Sequence, residues 1–196
     1  MADDATLRFY AEAATTYAAH GGDLPAAELR DFILALPRGA KVLELGSGGG
    51  RDAGFMLAQG LDVHPTDASK ELAAEAERRI GRPVTIMTFD QLDAEALYDG
   101  VWACACLLHA PREELTTDLT RIHRALRPGG LLVASFKAGD GEGRDQFGRY
   151  YNYPDRPTLE AHCRAAAGWR SLDIAERTGS GCDKLPTIWL WVIARA

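Results

Sequence analysis

Glu44, Gly46, Gly48 and Gly50 stand in the spacing E-x-G-x-G-x-G at the end of a short apolar run that begins at Val42. Glycine is needed where the backbone turns with positive φ, or where a ligand must touch the main chain. An acid on an otherwise apolar strand is costly to bury unless it finds a partner. A loop of this kind, at the carboxyl end of a first strand, is a nucleotide-cofactor site. The dinucleotide fingerprint can be forced onto Gly48, Gly50 and Ala53, but started at Gly46 it meets Arg51 at its third position. The glycines alone therefore leave the cofactor open. A nicotinamide-dependent oxidoreductase is one alternative, and a cofactor-binding module without catalysis is another.

A second group of reactive side chains lies further on. Cys104, Cys106 and His109 spell C-x-C-x-x-H. No fourth ligand has matching spacing, so the cysteines read as small core residues and no metal is expected. On a strand, Cys104 and Cys106 would share one face.

These groups need elements to hold them. Leu7, Tyr10, Ala14 and Tyr17 recur at helical spacing, and Pro25 opens a second helix with Leu29, Phe32, Ile33 and Leu36 on its buried side. Strands and helices then alternate. Strands are expected at Lys41–Leu45, Asp62–Thr66, Pro83–Met87, Val101–Cys106 and Leu131–Phe136. Helices are expected at Arg51–Gln59, from the cap Ser69 to about Ile80, from Pro111 through Leu126, and at Thr158–Ala167. Arg127-Pro128-Gly129-Gly130 reads as a sharp break, and a polar glycine-rich loop runs from Lys137 to about Asp155. Trp169–Glu176 and Thr187–Ala194 read as two strands with no helix between, which must be antiparallel. The expected fold is α/β: a Rossmann-like, doubly wound seven-stranded sheet with a C-terminal antiparallel hairpin and helices on both faces. One domain over residues 1–196 is expected, with N-terminal helices over 1–37 and the core over 38–196. Trp189 and Trp191 alternate on the last strand and are expected to pack against helices rather than to meet a substrate.

The chain has 196 residues, 46% of them hydrophobic and 26% charged, which suits a soluble domain with a full core. Its net charge of −6 argues against a nucleic-acid surface. No apolar run follows the acidic start, so neither a signal peptide nor a membrane span is expected, and the reading is cytoplasmic. The four cysteines, Cys104, Cys106, Cys163 and Cys182, suggest no disulfide framework. A monomer or homodimer is expected.

Val42–Gly50, with Glu44 in the acidic position, resembles the first motif of class I S-adenosylmethionine-dependent methyltransferases. The resemblance runs from Lys41 to the C-terminus. It takes in Asp67 after the second strand, Phe89-Asp90 after the third, the Leu126-Arg127-Pro128-Gly129-Gly130 turn and the closing hairpin. Ser135-Phe136-Lys137 and Gly148-Arg149-Tyr150-Tyr151 resemble small bacterial methyltransferases of the tellurite-resistance-like kind.

The resemblance implies S-adenosyl-L-methionine as cofactor and methyl transfer to a small-molecule acceptor. Asp67, with Ala68 beside it, takes the ribose position, where one carboxylate accepts from two adjacent hydroxyls. Phe89 and Asp90 take the adenine position. Glu44 orients the glycine loop and helps hold the methionine ammonium, the backbone of Gly46, Ser47 and Gly48 meets the methionine part, and Arg51 faces its carboxylate. Ala103 and Cys104 end strand four near the methionine tail. His109 is the candidate base for an oxygen or nitrogen acceptor. The N-terminal helix, with Tyr10 and Tyr17 on one face, is a possible lid. The loop carrying Arg144, Arg149 and Tyr150 is a further wall of the acceptor pocket, its arginines suited to an anion.

Overall fold

Strand β1 (Lys41–Leu45) is the axis of the sheet, and Val42, Leu43, Glu44 and Leu45 are all buried. A strand buried on both faces reads as a continuous apolar run, which is what a central parallel strand requires. The computed structural model describes residues 3–20, 27–181 and 185–196. Strand β1 pairs in parallel with β2 (Asp62–Asp67) on one side and β4 (Tyr98–Ala103) on the other. The seven-stranded sheet has the order β3-β2-β1-β4-β5-β9-β8, with β3 at Thr85–Ile86 and β5 at Leu126–Lys137. The last two strands, β8 (Ser171–Ser180) and β9 (Pro186–Arg195), are antiparallel to each other, and β9 is antiparallel to β5. The strand order reverses between β1 and β4, and that reversal opens a crevice at the carboxyl edge.

Helices cover both faces. Leu115, Leu119 and Ile122 of α5 (Arg112–Ala125) and Leu159 and Cys163 of α6 (Arg156–Ala166) fill one core. Leu29 and Phe32 of α2 (Ala27–Leu34) and Ala53 and Met56 of α3 (Arg51–Ala58) fill the other. Helix α1 (Asp4–His20) lies against α4 (Lys70–Ile80), whose cap Ser69 accepts from Leu72 N–H at 3.3 Å. No helix among the described residues is long and apolar enough to cross a membrane.

The expected fold is present, and its local departures have physical causes. Strand β4 begins at Tyr98 and stops at Ala103, because Ala105 turns with φ 53°. Cys104 and Cys106 therefore share no strand face; they belong to the turn after the strand. The Pro128-Gly129-Gly130 break is a bulge within β5: Tyr98 pairs with Leu126 and Gly100 with Leu131, while Gly129 takes φ 82°. Leu126 accordingly starts β5 instead of closing α5. Strand β3 keeps only two residues of its expected five, with exposed side chains at the sheet edge. The loop after β5 holds a small hairpin of β6 (Gly143–Arg144) and β7 (Tyr150–Tyr151). Pro25 and Cys182 lie outside the described residues.

Candidate active site

The turn after β1 forms because only glycine fits it. Gly46 has φ 65° and Gly48 φ 54°, and a Cβ on Gly46 would stand 2.4 Å from Cys106 Cβ. The loop is tied across the crevice to β2. Asp67 Oδ2 accepts from Gly48 N–H at 2.8 Å, Asp67 Oδ1 accepts from Ser69 N–H at 2.8 Å, and Ser47 N–H donates to Thr66 carbonyl at 2.8 Å. With Ala68 N–H as a further donor, the carboxylate still keeps accepting capacity for a ligand. Burial pushes the Asp67 carboxyl up to about 6, and the N–H donors of Ser69 and Gly48 oppose it.

A cleft of about 830 Å³ opens above this loop, lined by Gly46, Gly48, Asp67, Ala68, Phe89 and Asp90, with Cys104 on its wall. Asp90 is exposed in a short 3-10 turn, Phe89–Gln91, that places Phe89 beside the cleft. Helix α1 covers the opening with Thr6, Leu7, Tyr10 and Tyr17.

Glu44 sits beneath the loop, 2% exposed, and its Oε2 has no hydrogen-bond partner among the described residues. Burial, then the charges of Asp52 and Asp67, raise its carboxyl well above the usual range. Ser47 Oγ is a second buried polar atom without a partner among the described residues. An orphaned carboxyl oxygen and an orphaned hydroxyl under a glycine loop are costly to bury and suit a cationic, hydrogen-bonding ligand. Asp52, by contrast, is fully engaged: it accepts from Trp102 Nε1 at 3.0 Å and from Arg51 Nε at 2.7 Å.

A second cavity of about 1140 Å³ shares the wall of Tyr10, Tyr17, Cys104, Ala105 and His109 with the first. Its floor is the sheet face of β5, β9 and β8, including Ser135, Lys137, Trp189 and Trp191. Between the two cavities runs a chain of hydrogen bonds. Arg149 Nη1 donates to Tyr10 Oη at 3.1 Å, Tyr10 Oη lies 2.9 Å from His109 Nε2, and His109 Nδ1 lies 2.6 Å from the carbonyl of Tyr150. A carbonyl only accepts, so Nδ1 carries the proton and Nε2 accepts from Tyr10. Burial pulls the His109 pKa down to about 4, which keeps the ring neutral.

The sequence-predicted residues thus fall into four groups. Gly46, Gly48, Asp67, Ala68, Phe89, Asp90, Cys104, Tyr10, Tyr17 and His109 meet at the first cleft. Arg51 and Arg149 face the second cavity only. Glu44, Ser47, Gly50 and Ala103 lie beneath or behind the loop, and a Cβ on Gly50 would press on Ala76 at 3.0 Å. Arg144 and Tyr150 do not border either cavity. Arg144 forms a two-pronged ion pair with Asp3, at 2.8 and 2.9 Å, and Tyr150 gives its hydroxyl to Glu142. Arg149 is 1% exposed and sends Nε and Nη2 to Asp145 Oδ2, so its charge is already matched. The expected arginine clamp is therefore two separate structural pairs.

Sequence reasoning missed Ser135, Lys137 and Arg177 and set Trp189 and Trp191 aside. Trp191 does pack on Trp102, with ring centroids 5.8 Å apart, but both tryptophans also border the second cavity. The signal was available in part: Lys137 ends a parallel strand at the ligand edge of the sheet.

Comparison with known proteins fits this geometry. Residues 42–130 match the family described as "Methyltransferase domain". Over 114 residues the chain is 36% identical to the hybrid PKS-NRPS synthetase traA of Penicillium crustosum, a match covering 52% of this chain and 3% of that protein. Over 102 residues it is 28% identical to the uncharacterized methyltransferase sll0829 of Synechocystis, covering 51% and 48% of the two chains. The chain thus spans about half or less of the curated relatives it matches. Among solved structures it is similar to the 1,6-didemethyltoxoflavin-N1-methyltransferase of Burkholderia thailandensis, which holds 1,6-didemethyltoxoflavin and S-adenosylhomocysteine. That match has 26% identity and a TM-score of 0.71, and covers 97% of this chain and 87% of that one. The N-methyltransferase NodS of Bradyrhizobium japonicum WM9, in complex with S-adenosylhomocysteine, shares the fold at 15% identity, with a TM-score of 0.70 and 98% of each chain covered.

Proposed function

We propose that this chain, which belongs to the class I S-adenosylmethionine-dependent methyltransferases, methylates a small molecule held in the second cavity. The observation that carries the reading is the pair of cavities with one shared wall. One has a nucleoside-type acid pair and a glycine loop, the other a floor of aromatic and basic side chains, and both meet at Tyr10, Cys104 and His109. Neither a nicotinamide-dependent reaction nor a purely non-catalytic role is favoured by this arrangement.

The residues present fit S-adenosylmethionine. Asp67 holds the ribose hydroxyls with its remaining lone pairs, and Asp90 with Phe89 takes the adenine. Glu44 and Ser47, whose side-chain oxygens are orphaned, lie where the glycine loop turns and answer the ammonium end. When bound, the cofactor supplies a sulfonium-activated methyl group, so the protein's part is to position, to exclude water and to set the field. Helix α1 acts as the lid over both cavities. His109 serves as a positioning residue in our reading, because its one lone pair is spent on Tyr10; it fixes Tyr10, and thereby the lid, at the junction of the cavities. Ionisation of Asp67 and Glu44 is the state that the cofactor's hydroxyls and ammonium favour.

The free thiols of Cys104, Cys106 and Cys163 suit a reducing compartment, and we assign the protein to the cytoplasm, acting as a monomer or homodimer without nucleic acid or membrane. Calorimetric titration with S-adenosylmethionine and S-adenosylhomocysteine tests the cofactor, and transfer of a radiolabelled methyl group across a panel of small acceptors tests the reaction. Micromolar binding is expected, and Asp67→Ala should weaken it by about 1–3 kcal/mol. A folded protein that binds neither compound sinks the reading.

A further inference from the structure

Asp3 at the start of α1, and Thr6 and Tyr10 within it, stand three and four positions apart, so they fall on one face of the helix. All three end on the hairpin of β6 and β7. Arg144 Nη1 and Nη2 donate to Asp3 Oδ1 and Oδ2 at 2.9 and 2.8 Å. Tyr150 N–H donates to Thr6 Oγ1 at 2.8 Å, and Arg149 Nη1 donates to Tyr10 Oη at 3.1 Å. Beside them Phe9 packs on Phe147 at the hairpin tip, with ring centroids 5.5 Å apart. Asp3 Oδ1 also accepts from Thr6 N–H at 2.9 Å, so the carboxylate that meets Arg144 is the one that caps α1.

The other end of α1 is held differently. A Cβ on Gly49 would stand 2.7 Å from Ala18 Cα, so helix and glycine loop touch backbone to backbone. Arg79 ties them further, with Nη2 on the Ala18 carbonyl and Nη1 on the Gly49 carbonyl, both at 3.2 Å. Thr15 Oγ1 donates to Glu75 Oε1 of α4 at 2.6 Å. Close backbone packing of this kind is indifferent to salt. The hairpin end leans instead on an ion pair whose Arg144 side chain is 48% exposed, where solvent and salt reach it. Between the two ends Leu7, Tyr10 and Tyr17 lie along the first cleft.

We infer that the β6–β7 hairpin is the latch of the α1 lid: the helix stays seated at Ala18 and lets go of Arg144, Tyr150 and Arg149 each time the cofactor enters or leaves. The inference rests on the reading of α1 as the lid over a cofactor cleft, since it names what governs exchange at that site. Arg144 borders neither cavity, so its contact with Asp3 is the same in the empty and the filled closed state. A contact common to both states leaves the affinity alone and sets only the barrier between them.

The test is the rate of S-adenosylhomocysteine binding and release on the whole chain, by surface plasmon resonance, with calorimetry for the affinity. Arg144→Gln, a surface change, should raise both rates by about two- to fivefold and move the dissociation constant by less than about twofold. Phe147→Ala, at the exposed hairpin tip, should act in the same direction. High salt should quicken exchange in the parent and leave Arg144→Gln unresponsive. Thr15→Val, at the seated end, should change neither rate. Amide hydrogen exchange of the free protein reads the same opening without a ligand: Arg144→Gln should quicken the amides of Thr6 to Tyr10 and spare those around Ala18. Parent-like rates in Arg144→Gln, a weaker affinity with an unchanged association rate, or equal acceleration by Thr15→Val would overturn the inference. Failure of the folded parent to bind S-adenosylhomocysteine, with the Thr6 to Tyr10 amides quickened by Arg144→Gln, would instead sink the cofactor reading and leave the latch standing.

Discussion

His109 shows how burial decides what a reactive side chain does. Its sequence position suits a base, but Tyr150 carbonyl takes its proton-bearing nitrogen and Tyr10 takes the other. The folded ring titrates at about 4, against an ordinary 6.5 in the unfolded chain. Between those values only the unfolded chain holds the proton, so this group's contribution to stability grows as pH rises from about 4 to 6.5 and is lost on acidification. Asp67 works in the opposite sense, since its folded carboxyl keeps a proton up to about 6 and the unfolded one only to 3.8. The two slopes overlap and partly cancel, so the histidine must be isolated by difference. In urea unfolding from pH 4 to 7, the stability gap between the parent and His109→Asn should widen with pH by up to about 1.4 kcal/mol per unit. A gap that does not change with pH would mean that the ring is charged or exposed in the folded protein.

At the scale of elements, the glycine loop and the terminal hairpin set the two cavities in different ways. The loop depends on close approach. At Gly46 a side chain must both adopt φ 65° and displace Cys106, whose Cβ would be 2.4 Å away. Gly60 takes φ 83° with nothing within 4 Å, so it meets only the first of these demands. Gly46→Ala should therefore cost roughly 2–5 kcal/mol in denaturant melts and abolish cofactor binding, whereas Gly60→Ala should cost about 1–2 kcal/mol and leave binding unchanged. Equal losses in the two variants would mean that the turn, and not its packing against Cys106 after β4, is what matters. The hairpin depends instead on register. A slip of one residue between β9 and β8 would turn Trp189 and Arg177 to opposite faces of the sheet.

For the whole molecule, the central fact is that one cleft draws its walls from distant segments above two buried polar groups. Loop, β2, the turn after β4 and α1 all contribute walls, and Glu44 Oε2 and Ser47 Oγ lie beneath them without partners among the described residues. A ligand that answers these groups binds the folded state alone and stabilises it by mass action. At a hundredfold excess over its dissociation constant, S-adenosylhomocysteine should add about 2.7 kcal/mol. For a chain of this size that raises the melting midpoint by roughly 5–10 °C. An unmoved midpoint at that excess would show that those groups are not answered by the cofactor.

The fold was legible because it is written in local signals. The burial of β1, the glycines after it, the cap Ser69 and two final strands with no helix between them each follow from short-range patterning. Together they allow little besides a doubly wound sheet with a closing hairpin. The acids of the first cleft were legible for the same reason: Asp67 and Phe89-Asp90 sit at strand ends, and strand ends in such a sheet share one edge. The second cavity was not legible, because its residues are joined only by packing. Arg144 met Asp3 across 141 positions and Arg149 met Asp145 within its own hairpin, so both cations were spent before any ligand arrived. Lys137, Trp189 and Arg177 line up across β5, β9 and β8 only once three strands settle into register. The sequence by itself determined the sheet, the loop and the acids that line the first cleft, through spacing along one chain. Tertiary structure alone decided which charges are paired and which aromatics face the cavity, because those depend on partners brought together from distant segments.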